Sequence, residues 1–204
     1  MARYGWEYAW RISCWSWWVW VVIGSGTCGA IHAADRSVDW NRIFDGEVIV
    51  ETVKQAGIPG LRAMFAVTAP PERIWTTLLD YDNFPRIFKG IEKVNVLERT
   101  SSGAQVEYWT DTVFKKLHYI LLRRYDEPGR RLSWSQLTGD LKRMEGSWEI
   151  RDTPRPGVQL LAYESYVEIQ GGPPAVLVRW VVLEKTREMG QRLRSWIEGR
   201  PVPE

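Results

Sequence analysis

Cysteine and histidine are nearly missing from this chain. Of 204 residues, two are cysteine and two are histidine. Both cysteines, Cys14 and Cys28, fall in the first thirty positions. The remainder therefore holds no disulfide, no thiol nucleophile and no cysteine-based metal site. His32 lies just behind them, and only His118 stands in the body of the chain. One imidazole cannot build a multi-histidine metal centre. A glycine-rich phosphate loop, a dinucleotide fingerprint and a Ser-His-Asp order are also missing, so no cofactor is implied. Lys and Arg number 27 against 25 Asp and Glu, a formal charge of +2. With no block of like charge, the footprint of a nucleic-acid binder is missing too. Internal repeats and low-complexity tracts do not occur.

What is present begins with a leader. Residues 1–33 follow the order of a secretory signal: Arg3 and Arg11 in front, an apolar stretch from Cys14 to Ile23, then small residues to Ala30. Cleavage is expected after Ala33, although Ile31 meets the small-x-small rule only loosely. An uncut membrane anchor is the rival reading. No Asp, Glu, Lys or Arg occurs from Ile12 to Ala34, enough to span a bilayer by the ~20-residue criterion. Either reading places the rest of the chain outside the cytoplasm, periplasmic, secreted or membrane-anchored. Six of the 13 tryptophans lie in the first twenty residues and characterise the leader more than the domain.

Beyond a polar lead-in at 34–46, the pattern is legible element by element. Glu47–Val53 alternates and is β-branched, a short strand. Residues 55–60 read as a turn, and Leu61–Thr68 as the first long strand. Pro70-Pro71 and Glu72 suit a helix start, and that helix ends near Asp80. Asp82-Asn83 is expected to cap a second helical turn over 84–88, closed by Gly90. Period two then takes over. Strands are predicted at 91–99, 104–114, 117–125, 131–137, 144–152 and 158–169, with turn-like separators throughout. Gly171-Gly172-Pro173-Pro174 breaks the sheet. Ala175–Glu198 follows as one long helix, apolar nearly all round at first and striped by Met189, Leu193, Trp196 and Ile197 later.

The run LRAMFAVTAPPERIWTTLLDYDNFPRIFKGIEK at 61–93, with this order of elements, resembles the START-like superfamily, the polyketide cyclase/dehydrase and lipid transport or coenzyme Q-binding group. The resemblance covers about residues 45–198. It implies an α+β helix-grip fold over residues 47–199, with a curved antiparallel sheet wrapped around the C-terminal helix and a tail at 200–204.

The resemblance also implies a cavity between sheet and helix. Alternating strand positions and the apolar helix nominate Trp109, Trp134, Trp148, Tyr163, Leu177, Trp180 and Val181 as its lining, with Phe84 and Phe88 near the entrance. Taken singly, a tryptophan on a strand is more often plain core than ligand contact. The case for a pocket rests on the number of large aromatics, several with an N–H or O–H that needs a partner when buried. His118 reads as a surface or satisfied sheet histidine. Period two puts Glu107 with Asp111, and Glu164 with Glu168, on common faces. The outer, solvated face is expected, because inward charge is costly to bury. Arg123-Arg124, Arg130-Arg131 and Lys142-Arg143 read as a solvated rim, with contact to anionic lipid headgroups as the alternative.

The implied function is non-enzymatic binding, transport or sensing of a hydrophobic small molecule: a lipid, isoprenoid or quinone. Two alternatives stay open. One is a cyclase/dehydrase-like enzyme on a hydrophobic substrate, for which no acid/base pair stands out. The other is a membrane-tethered partner-binding module whose interior is filled by side chains. Nothing in the sequence bears on oligomeric state.

Overall fold

A computed structural model describes residues 38–112, 115–168 and 175–203, with backbone alone at 175–180. Ser37–Glu204 form one unit, and the leader lies outside the described residues. Eight antiparallel strands make one sheet in the order β1-β2-β8-β7-β6-β5-β4-β3. They are β1 Ile49–Gln55, β2 Ile58–Val67, β3 Ile91–Thr100, β4 Gly103–Asp111, β5 Lys116–Asp126, β6 Arg131–Gly139, β7 Arg143–Asp152 and β8 Gln159–Glu168. Helix α1 spans Trp40–Phe44, α2 Pro71–Leu78, α3 Phe84–Ile87 and α4 Ala175–Ile197, and a 3₁₀ turn at Tyr81–Asn83 leads into α3. This is the helix-grip order expected from the sequence.

The first hairpin is tighter than its sequence suggests. Ala56 and Gly57 both carry positive φ, 48° and 82°, the two-residue turn whose twist matches that of paired strands. Pro59 and Gly60 therefore belong to β2 rather than to the turn. Pairing of β2 with β8 starts at Gly60, so the N–H that Pro59 lacks falls beyond that ladder.

Helix α2 begins at Pro71 with Glu72 in its first turn, and it buries Ile74, Trp75 and Leu78. The cap expected before α3 does not form. Asn83 caps no backbone N–H of the helix; its Nδ2 donates to Asp80 Oδ2 at 2.8 Å and its Oδ1 accepts from Arg86 Nη1 at 3.4 Å. The lead-in is more ordered than a linker. Asp39 Oδ1 accepts from Arg42 N at 3.3 Å and starts α1. Ile43 of α1 then packs with Ile49 and Leu160, flanked by Trp40, Phe44, Met64 and Ala66, on the outer face of β1, β2 and β8.

The main core lies on the other face. Alternate residues Ala63, Phe65 and Val67 of β2, Leu161 of β8, Trp148 and Ile150 of β7 and Leu132 and Trp134 of β6 are buried there with Leu193 and Ile197 of α4. Gly190 lets α4 approach closely: a Cβ at that position would come within 2.8 Å of Val48 Cγ1 and 3.2 Å of Phe65 Cε1. Among the described residues no helix is long and apolar enough to cross a membrane.

Candidate functional site

The inner face carries a continuous band of aromatic rings. Trp134, Trp148 and Tyr163 come from three adjacent strands. Tyr163 stacks on Trp134 with centroids 5.8 Å apart and lies 4.5 Å from Trp148. Trp148 in turn meets Phe65 edge-on at 6.5 Å. On β4 and β5, Tyr108 and Tyr119 stack at 5.4 Å. The helical side closes the band: Phe84 meets Tyr81 at 5.1 Å and Phe88 at 4.9 Å, both edge-to-face.

Arg123 sits in the middle of these rings. Period two along β5 places it inward between Leu121 and Tyr125, and only 4% of its surface is exposed. Its Cζ lies 4.9 Å from the Tyr81 ring, 5.5 Å from Phe84 and 5.9 Å from Trp134. Nη1 donates to the Tyr108 hydroxyl at 2.9 Å, and Nη2 makes a long contact of 3.5 Å to the Leu78 carbonyl. Nε has no partner, and no carboxylate among the described residues faces the group. Across the described residues the other buried polar side chains are the uncharged Thr110, Ser147, Gln159, Ser165, Thr186 and Ser195.

Magnitudes show why this stands out. Removing such an ion from water costs several kcal/mol even after relaxation. One hydrogen bond to a charged group returns about 1.5–3 kcal/mol, and each ring contact about 0.5–2 kcal/mol. The cation is tolerated rather than neutralised. Burial works against its charge, but the Tyr108 and Tyr81 phenols hold its pKa above the ordinary arginine value. Burial likewise pushes the Tyr81, Tyr108, Tyr119 and Tyr163 phenols upward, so all four are neutral donors at physiological pH.

Two further buried atoms lack partners: Trp134 Nε1 and Gln136 Oε1. Gln136 spends its amide on the Leu141 carbonyl at 2.8 Å. Polar atoms withdrawn from water are ordinarily paired, and among the described side chains Arg123 Nε, Trp134 Nε1 and Gln136 Oε1 are the exceptions.

An outside cleft of about 370 Å³ reaches this region. Trp75, Leu79, Arg99, Tyr125 and the β3–β4 and β5–β6 turns line it. Its Tyr125 hydroxyl meets the Tyr81 hydroxyl at 2.7 Å. Arg99 covers the Tyr81 ring at 5.2 Å, so Tyr81 lies close to both an exposed guanidinium and the buried one of Arg123. At the far side of α3, Arg192 of α4 donates to the Arg86 and Ile87 carbonyls at 3.0 Å each, and Lys89 pairs with Glu188 at 2.8 Å.

The nominated residues divide. Trp134, Trp148 and Tyr163 come together with Phe84 and Phe88. Val181 is half-buried on α4. The side chains of Leu177 and Trp180 lie outside the described residues. Trp109 does not join the set. It lies on the opposite sheet face, stacked on His118 at 5.0 Å and covered by Lys93 at 4.9 Å, because its neighbour Tyr108 takes the inward position. His118 Nε2 meets Glu107 Oε1 at 2.8 Å on that same outer face. Glu164 pairs there with Arg62 at 2.6 Å, and Glu168 with Lys142. The basic pairs also divide. Arg130, Arg131, Lys142 and Arg143 pair with Asp152, Glu149, Glu168 and Glu145 on the surface, and Arg124 donates to Ser135 Oγ. Arg123 is no rim residue. The rim reading misplaced it, and Tyr81, Tyr108 and Tyr119 were missed with it. Its spacing of two from Leu121 and Tyr125 is no sufficient signal, because Arg124 is likewise spaced two from Leu122, with Ile120 two further back. Among the described residues no cluster of metal-ligating side chains occurs.

Comparison with known proteins agrees with this architecture. Residues 67–194, more than half of the chain, match the family model described as polyketide cyclase / dehydrase and lipid transport. No curated protein sequence matches. Among solved structures, a STAR-related lipid transfer protein from Xanthomonas axonopodis superposes with a TM-score of 0.62 at 14% identity, covering 74% of this chain and 93% of that one. The Zhui aromatase/cyclase from Streptomyces sp. R1128 gives 0.59 at 18% identity, with 74% and 94% covered. Human STARD10 gives 0.61 at 12% identity, with 74% and 69% covered. At these identities the likeness speaks to the fold.

Proposed function

We propose that this chain, which belongs to the polyketide cyclase/dehydrase and lipid transport family, binds a hydrophobic small molecule between the inner face of its sheet and α4, and acts as a carrier or sensor without catalysing a reaction. The observation that carries the reading is the aromatic band from Phe84 to Trp148 with unpartnered polar atoms set in it. Apolar walls with a few convergent polar groups are the usual composition of a small-ligand site. Burial of apolar ligand surface, worth about 25 cal/mol per Å², supplies the drive. The non-enzymatic part draws support from the position of the His118–Glu107 pair, on the sheet face away from the band. General acid/base chemistry would need such a pair within hydrogen-bonding reach of the substrate.

Native mass spectrometry with solvent extraction tests the reading on the full chain expressed in an exporting host. A discrete adduct released by organic solvent is expected. A bare protein mass, with no uptake from a mixed lipid and quinone pool, sinks it in favour of a filled, partner-binding module. Export rests on the residue order of 1–33 alone. Recovery of the protein in a periplasmic or secreted fraction, with an N-terminus at Ala34, is the expected outcome; a cytoplasmic protein starting at Met1 contradicts it.

A further inference from the structure

Two of the three orphaned atoms, Arg123 Nε and Trp134 Nε1, are donors, and they belong to groups 5.9 Å apart from guanidinium carbon to ring centroid. What these two groups lack is therefore an acceptor, whereas the third orphan, Gln136 Oε1, is itself an acceptor. The guanidinium is a planar fork. Its Nη1 is spent on Tyr108, whereas Nη2 holds the Leu78 carbonyl only at 3.5 Å. The Nε–Nη2 edge, the side that pairs with two oxygens at once, is thus one orphan and one weakly held donor. Of the neutral phenols around it, the Tyr108 oxygen already accepts from Arg123, and the Tyr81 hydroxyl pairs with that of Tyr125. No acidic side chain among the described residues completes the edge.

We infer that the ligand is an amphiphile bearing a single carboxylate, whose oxygens accept from the Nε–Nη2 edge of Arg123 and from Trp134 Nε1 while its apolar body lies along Tyr163, Trp148 and Phe65. The inference rests on the binding function proposed above and deepens it. One negative charge neutralises one buried cation. A phosphate monoester, with a charge of about −1.5 to −2, would leave an excess negative charge among aromatic walls, so a carboxylate fits better than a phosphorylated headgroup.

The test compares acids with their own methyl esters on the delipidated full-length protein. Palmitic acid and methyl palmitate form one pair, and 1-pyrenebutyric acid and its methyl ester the other, with displacement of the neutral dye Nile red as readout. The acid is expected to bind at least tenfold tighter than its ester in every pair that binds. Arg123→Met should abolish that preference and keep ester binding, which also reports that the variant is folded. Trp134→Phe should weaken the acid severalfold and spare the ester. Equal affinity of acid and ester for the native protein overturns this inference and leaves hydrophobic binding standing. A preference that persists in a folded Arg123→Met protein overturns it as well. Failure of all four compounds to bind overturns the binding function, and this inference with it.

Discussion

The Trp134 ring lies against Gly146 of the neighbouring strand so closely that a Cβ at 146 would sit 2.4 Å from Trp134 Cζ2 and 2.3 Å from the Glu164 carbonyl oxygen. The two residues are cross-strand partners in the β6–β7 ladder. The glycine makes room for the indole, and Tyr163 stacks on that indole. One missing methyl group thereby sets the position of the central ring of the aromatic band.

Gly146→Ala is therefore expected to destabilise the protein by about 1–3 kcal/mol, the ordinary cost of overpacking a filled site. The indole can yield only by displacing Tyr163, and the Glu164 carbonyl is backbone. Urea unfolding measures the loss, and near-UV circular dichroism reports the moved tryptophan. An unchanged midpoint with an unchanged aromatic spectrum would show that the ring is not held by this contact.

Arg123 and Tyr108 give a contrast that runs against intuition. Replacing a buried ion by an apolar group of similar volume is often neutral or stabilising, whereas removing its partner strands the charge. Arg123→Met should leave the ligand-free protein within about 1 kcal/mol of native stability. Tyr108→Phe should lose about 1.5–3 kcal/mol, the worth of a hydrogen bond to a charged group. The double variant should resemble Arg123→Met alone, since the phenol then has no cation to serve. Denaturant melts of the four proteins check this. A Tyr108→Phe loss that persists in full without Arg123 breaks the assignment.

The strand order, the two short helices and the long last helix were all readable, because period two and the proline-led helix starts are local signals. The site was readable only in part. Along β4, Val106, Tyr108 and Thr110 form one set and Glu107, Trp109 and Asp111 the other. Each contains an aromatic, but the second set carries both carboxylates, and the cost of burying charge already points Trp109 outward with Glu107 and Asp111. Trp109 was assigned inward for its size, while the packing partner of Tyr119 turned out to be Tyr108. On β5 the choice was harder still. Leu121, Arg123 and Tyr125 compete with Ile120, Leu122 and Arg124, two sets with the same balance of apolar and basic residues. Only the tertiary arrangement, with Tyr81 and Phe84 arriving from the helical side, decides that Arg123 is the buried cation. The orphaned Nε and Nε1 atoms exist only once the strands are paired.

That difference between faces can be measured. Trp134→Ala removes a wall of the proposed site, and Trp109→Ala removes an outer-face ring whose partners are His118 and Lys93. Binding of a neutral dye such as Nile red should fall at least tenfold in the first variant and stay within twofold in the second, as roughly 1.4 kcal/mol per tenfold translates the loss of one aromatic contact. Equal losses in both folded variants would place the dye elsewhere than on the inner face.

Alkali offers a test of burial that needs no substitution. The phenols of Tyr81, Tyr108, Tyr119 and Tyr163 all titrate above their ordinary value in the folded protein, chiefly because burial disfavours the phenolate. Tyr166 is pushed up to about 12, by burial first and then by Glu164. A folded-state pKa above the unfolded value of about 10 means that the folded protein holds more protons once pH exceeds 10. Stability is then intact below that pH and falls as pH rises toward the folded values. Tyrosinate absorbance near 295 nm should consequently lag behind that of free tyrosine and rise together with the loss of far-UV circular dichroism. Phenols that ionise around pH 10 while the sheet signal stays native would mean that water reaches the aromatic band, and with it Arg123.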